Sequence, residues 1–415
     1  MSLSSLTEVL GNHKGRLVLW PTHKFSTLFL AVFLYRPLSR PAATHVSLLS
    51  KLLKRGCRRF PTSRELQAYL DDLYGAELTT GVTKIGEEQA LYLLLELPIV
   101  GTCPLDEGME LLWELLGEPV LSEEHFCQEK ANLHKELEDL KSDKSRYATI
   151  RCVQEMCRNE PFGVIEIGEE QDLQGACLSD VEGELSRLIE NSRVELYVVG
   201  PVEPEAVQQA FDKHFQALPD RGTKLPAEVQ LVNNESVREV LEYDLVQQAK
   251  VCVGLRTNVL PSDPLYPALT VYDGILGGFA HSKLFMTVRE KASLAYYASS
   301  TLKPSKGIMV IQSGIDPSNY HRVVDIIFDQ LEQMRKGNIT PEELEWTRAS
   351  IGNRLKASAD SPKGQVFTEA ELRSASMGWT LERRLRMLQA VTLDQVVEVA
   401  RRVHPDTVYL LTCKP

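Results

Sequence analysis

Apolar residues recur along this chain with two different periods. In THVSLLSKLLKRG, residues 44–56, Leu48, Leu49, Leu52 and Leu53 fall on one side of a helical turn, and Ser47, Ser50, Lys51 and Lys54 on the other. The spacing predicts an amphipathic helix over 43–55, closed by Gly56 as a helix C-terminal glycine. TLFLAVFLY, residues 27–35, is apolar without helical spacing. It is far short of the roughly 20 residues a membrane span needs, so it is expected as a buried strand.

The order of elements occurs twice. SRELQAYLDDLYGAELTTG (63–81) superposes on SKLFMTVREKASLAYYASS (282–300) at an offset of 219, placing Ser63 on Ser282 and Ala76 on Ala295. LSEEHF (121–126) falls on ITPEEL (339–344) at 218, with Ser122 and Thr340 expected as N-caps before acidic first turns. SRVELYVVGP (192–201) falls on DTVYLLTCKP (406–415) at 214, two β-rich runs ending in proline. Each half is expected to open on a strand pair (16–20 with 26–35; 237–245 with 248–257) and continue through a helix (43–55; 264–276), a short helix and two strands. Long helices follow (106–116 and 122–143; 318–336 and 341–357), then further helices and a last strand. Strands and helices mix without regular βα alternation, which favours the α+β class. The expected division is a first domain over 1–217, a linker over 218–236 rich in Pro, Gly and Asn, and a second domain over 237–415.

Bulk properties narrow the function. A chain of 415 residues is longer than one core usually serves. A net charge of −11 argues against a nucleic-acid partner. The one basic cluster, Lys51, Lys54, Arg55, Arg58 and Arg59, suits a solvated helix C-terminus; a patch for an anionic partner is the alternative. The N-terminus MSLSSLTEVLGNHKGR lacks the basic start and apolar core of a signal peptide, and the eight cysteines are scattered with no C-x-x-C. A cytoplasmic protein without membrane contact is expected. There is no phosphate-loop motif, no dinucleotide fingerprint and no G-x-S-x-G elbow. Gly274, Gly277 and Gly278 therefore fit a helix end and tight turn, or a backbone-lined rim of a peptide site.

The segment DGILGGFAHSKLFMTVREKASLAYYASS (273–300) carries a resemblance. Its glycine pair, Ser-x-Leu-Phe helix, arginine and Leu-Ala-Tyr strand are similar to a segment of the insulinase-like (pitrilysin) zinc metallopeptidases. Similarity extends over nearly the whole chain, and the chain resembles the non-zinc member of bacterial two-subunit peptidases. The resemblance implies two homologous α/β-sandwich domains forming half of a clamshell around a peptide chamber. The other half would be a homologous zinc-bearing subunit or a second copy.

In that family a helix carries His-x-x-Glu-His. Two imidazoles one turn apart converge on zinc, and the glutamate activates water. Alignment on Gly56 puts those places at Ser47, Ser50 and Lys51. His45, two residues earlier, lies about 200° round the helix from Ser47. The family's second pair of acids, seven apart, resembles Glu129 and Glu136 in FCQEKANLHKELEDL. These five positions are read as a degenerate zinc site lining the chamber, with solvated helix charge as the plainer account of the two acids. His125, Glu129 and His134 share a helix, but His134 is nine residues from His125 and faces away, which disfavours a displaced site.

Arg289 and Tyr296, seven apart, match an arginine and a tyrosine that in the family hold the substrate carbonyl and the oxyanion. Ordinary packing beside a nearby acid is the alternative. Gly277 and Gly278 would line the substrate rim. The expectation is a non-zinc subunit, not an autonomous metallopeptidase. It would hold no cofactor itself and offer Arg289 and Tyr296 to a partner's zinc site. The rival is a non-catalytic scaffold or maturation factor acting on a protein target.

Overall fold

The computed structural model describes residues 8–12, 15–219, 227–232, 234, 236–372 and 380–414. Contacts group the chain into two compact units, Met1–Glu138 with Val164–Glu228 and Asp139–Gly163 with Val229–Pro415. The segment 139–163 is an excursion that a single cut at 218–236 does not contain, and the linker expected there lies partly outside the described residues.

The first half runs β1 (Glu8–Asn12), β2 (Gly15–Pro21), β3 (Thr27–Pro37), α1 (Ala42–Leu52), α2 (Ser63–Asp72), β4 (Glu77–Ile85) and β5 (Glu88–Pro98). It continues through α3 (Leu105–Gly117), α4 (Glu123–Ser142), α5 (Lys144–Met156), α6 (Glu170–Gly175), α7 (Leu178–Asn191), β6 (Arg193–Gly200) and α8 (Pro204–His214). Its six strands form one sheet in the order β1-β2-β6-β3-β5-β4. The second half runs β7 (Arg238–Tyr243), β8 (Ala249–Arg256), α9 (Tyr266–Asp273), β9 (Ala295–Lys303) and β10 (Ile308–Ile315). Helices α10 (Tyr320–Arg335), α11 (Pro341–Ala359), α12 (Pro362–Leu372), α13 (Leu381–Gln389) and α14 (Leu393–Arg402) follow, and β11 (His404–Thr412) ends it. Its sheet order is β7-β11-β8-β10-β9.

The two sheets match strand for strand. β2 and β7 run parallel to β6 and β11, which run antiparallel to β3 and β8. The repeat seen as sequence offsets is thus a repeated topology, with β1 as an addition to the first copy. One expectation is corrected: the opening strands of each half do not pair with each other, because the last strand of that half lies between them. The reason is burial. Every residue of β6 is buried, and β11 is buried over most of its length. A strand buried on both faces needs a neighbour on each edge and a layer on each side.

Helix ends form as their sequences dictate. Thr340 caps α11 in a reciprocal box with Glu343, and the Ser122 hydroxyl accepts from His125 N at 3.3 Å. The main core of the first unit lies between one face of its sheet and α1, α3 and α7, around Leu30, Val32, Leu49, Leu93, Leu112 and Leu188. In the second unit α5 covers the other sheet face, packing Ala148, Cys152 and Met156 on Cys252, Val310 and Tyr409.

An ion network holds this excursion down. The Glu160 carboxylate receives Arg256 at 2.6 Å and Lys306 at 2.7 Å, and Arg256 also donates to Asp406 at 2.9 Å and to the Met156 carbonyl at 2.8 Å. All four side chains are almost fully buried. Burial alone would push the Glu160 carboxyl up, but the hydrogen bonds from Arg256 and Lys306 outweigh it and hold the carboxyl below its ordinary value. Glu160→Gln leaves two buried cations short of charge and is expected to cost about 3–5 kcal/mol, read as a lower urea midpoint. Because the folded carboxyl titrates lower than the unfolded one, its contribution is complete above the unfolded value of about 4.3 and fades as pH falls through the folded value. Wild type should therefore lose stability in that acidic window more steeply than Glu160→Gln, in urea melts run at stepped pH.

Candidate functional site

The serines of α1 do not face water. Ser47 and Ser50 are 2% and 3% exposed, and the Ser50 hydroxyl donates to the Ser47 carbonyl at 2.7 Å. Nearly every α1 residue is buried, so the lining expected of its polar face is corrected to the residues at its C-terminal end. Gly56 is corrected too. The helix ends at Leu52 with Leu53 as its cap. Gly56 sits beyond, at φ +145°, where an added Cβ would press on the Phe60 carbonyl.

At that end the structure brings the predicted acids against cations. Lys51 Nζ meets Glu136 Oε2 at 2.6 Å. Arg55 meets Glu129 Oε1 through Nε at 2.6 Å, and the Asn132 amide donates to Glu129 Oε2 at 3.0 Å. Sequence reasoning placed Arg55 in a solvated cluster and left Asn132 out. Spacing held the signal: Arg55 is one turn beyond Lys51, and Asn132 one turn beyond Glu129. Two carboxylates from α4 thus face two cations from α1 and its C-terminal turn, and formal charge balances without a metal. The donor set has no imidazole, and an ammonium occupies the side a dication would need. The residues present do not fit zinc.

The histidines do not repair this. His45 turns towards α7, with Nε2 at 4.0 Å from Asp180 Oδ2. His134 lies against Glu170 at 2.9 Å and Glu138 at 3.7 Å, away from His125, whose Nδ1 is buried without a hydrogen-bond partner. Among the described residues no group of three or more His, Cys, Asp or Glu could hold a metal.

The second unit holds the other predicted residues. Arg289 lies in the π-helical stretch Phe285–Lys291, its guanidinium 4.6 Å from the Phe285 ring centroid and 3.7 Å from the neighbouring Glu290. Its side chain is 45% exposed, and Tyr296, near the start of the edge strand β9, is 70% exposed. Gly277 and Gly278 end a second π-helical stretch, Gly274–Gly278. A Cβ on Gly277 would lie 2.5 Å from Ser300 N, so this glycine lets the helix end close on β9. Beside it Ser300 donates to Asp273 at 2.6 Å, and burial pushes the Asp273 carboxyl up.

Comparison with known proteins agrees with this geometry. The family description "Peptidase M16 inactive domain" matches residues 185–351. The chain is 32% identical over 420 residues to the probable inactive metalloprotease YmfF of Bacillus subtilis, covering 99% of this chain and 98% of that one. The crystal structure of a conserved protein from Enterococcus faecalis V583 superposes with a TM-score of 0.90 at 28% identity, over 97% of both chains. That of a peptidase M16 inactive domain from Pseudomonas fluorescens superposes with a TM-score of 0.81 at 17% identity, again over 97% of both, and speaks for the fold alone. The expected fold and family both stand: this chain belongs to the M16, insulinase-like, peptidase family, as an inactive, metallopeptidase-like member.

Proposed function

We propose that this chain is the non-zinc subunit of a two-chain insulinase-like peptidase, lining the peptide chamber and lending Arg289 and Tyr296 to a zinc site on a homologous partner. The observation that carries this is a contrast in how the fold treats its polar groups. The former metal locus is engaged, carboxylate by carboxylate, in ion pairs. Arg289 and Tyr296 are held out, an arginine over the Phe285 ring with one loose acidic neighbour and a phenol left mostly in water. Such donors suit a developing negative charge supplied from elsewhere. The edge strand beside them, β9, would offer an extended peptide main-chain partners, with Gly277 and Gly278 at its rim. No helix among the described residues is long and apolar enough to cross a membrane.

The test is reconstitution with a homologue that carries His-x-x-Glu-His, followed by zinc analysis and peptide cleavage. A stoichiometric complex that cleaves faster than the homologue alone supports the proposal. Arg289→Ala and Tyr296→Phe should then each lower kcat of the complex by about 10²-fold, with the complex intact by gel filtration. A complex indifferent to both substitutions would favour the scaffold or maturation role instead.

The metal locus gives a second prediction, read on the isolated chain. Dialysis against a strong chelator should leave its Tm unchanged, and metal analysis should find well under one zinc per chain. Arg55→Ala leaves the nearly buried Glu129 without its cation and should destabilise by about 3 kcal/mol. Lys51→Ala, at the more open Glu136, should cost less than about 1 kcal/mol. A chelator-induced fall in Tm would show that a metal is bound after all.

A further inference from the structure

We propose that β7 pairs edge to edge with β7 of a second copy of this chain, antiparallel about a twofold axis at Leu241. Among the described residues β7 is hydrogen-bonded on one side only, to β11. The topologically equivalent strand of the first unit, β2, has its outer edge covered by β1, antiparallel from Glu8↔Leu19 to Asn12↔Gly15. An edge of this kind therefore accepts an antiparallel strand, and the second unit supplies none of its own.

The open edge is only partly protected, by the charges of Arg238, Glu239 and Glu242. β4 and β9 each carry a lysine, Lys84 and Lys303, whereas Arg238–Tyr243 contains neither lysine nor proline. Around it Val237, Leu241, Tyr243 and Leu245 are 39%, 52%, 44% and 93% exposed. Leu241 and Tyr243 alternate with less exposed residues and share one face of the strand, and Val237 and Leu245 flank its two ends. Exposed apolar side chains in register along an unpaired edge are a docking surface or a hazard.

The occupant follows from self-complementarity. A twofold axis perpendicular to a continuous sheet keeps each side chain on its own face, so opposite residues share that face. Centred on Leu241, the pairing sets Leu241 against Leu241, Glu239 against Tyr243, Val240 against Glu242 and Arg238 against Asp244 of the second copy. Val237 and Leu245 flank the pairing at its two ends. Arg238 meets Asp244, like charges do not meet, and Leu241 covers its own copy on the axis, while Tyr243 lies against Glu239. Within their own chain Arg238 donates to the Glu155 carbonyl at 2.5 Å and Asp244 receives Lys144 at 2.6 Å, so both side chains are anchored at this edge. Centring on Glu239 would oppose two glutamates, and centring on Tyr243 would oppose Glu242 and Asp244. Centring on Val240 would set the charged Glu239 against the exposed Leu241 on both sides of the axis.

This pairing is independent of the zinc-bearing sister, and its test uses the full chain alone. Sedimentation velocity over a concentration series should show wild type forming dimers. Leu241→Lys and Leu241→Asp should each sediment as monomers with wild-type Tm, since each sets like charges against each other on the axis. An equimolar mixture of the two variants should recover the dimer, which a general loss of folding would not do. Leu245→Lys, at a residue 93% exposed, should weaken dimerisation at least about tenfold without touching the fold. A wild-type chain that stays monomeric, a Leu241→Lys variant that dimerises as wild type does, or a mixture no better than its components would overturn the proposal. Each of those results leaves the two-chain peptidase proposal standing.

Discussion

Two strands that must be central organise everything else. β6 is buried along its whole length and β11 along most of its length, so each requires a strand on either edge. Each is the last strand of its half in sequence and an interior strand of its sheet in space. The opening strands of each half are therefore held apart by a segment made well over a hundred residues later, β2 at Gly15–Pro21 by β6 at Arg193–Gly200. All the helices in between serve a chain that has to return to the centre of its own sheet. Contacts of such long sequence separation make the sheets the least local part of the fold.

Two ion pairs join the C-terminal end of α1 to α4. Glu129 and Glu136 remain one face of α4, and cations from the chain itself, Arg55 and Lys51, stand where a dication would otherwise balance them. The two pairs differ in weight. Glu129 is nearly buried, has the Asn132 amide as a second partner, and is tied to Arg55; Glu136 is half in water, where an ion pair contributes little. The locus thus holds α1 to α4 mainly through Arg55, the residue furthest from the motif itself.

What could be read from the sequence was what local periodicity carries. Helix α1, the buried strand β3, the long helices α4 and α11 and the capping of Thr340 all lie close to where spacing put them. The duplication was legible because β-rich and capped segments kept their order through small changes of offset. Strand order was not legible, since the β6 sequence is rich in β-forming residues but does not record which strands flank it. The same limit applied at the site. Alignment named Lys51 and Glu136, 85 residues apart, but nothing local said that they touch. The burial of Ser47 and Ser50 was likewise invisible, because small hydroxyls serve a wet face and a packed one equally well.

Helix α5 belongs by sequence to the first half and by packing to the second unit. During synthesis it leaves the ribosome more than eighty residues ahead of β7, since Met156 precedes Arg238 by 82 positions. Its apolar face has no seat until β8, β10 and β11 have emerged. The nascent first half must carry an unsatisfied amphipathic helix through most of translation, so the interval in which this chain is most exposed to chaperones and proteases is written into the order of its elements.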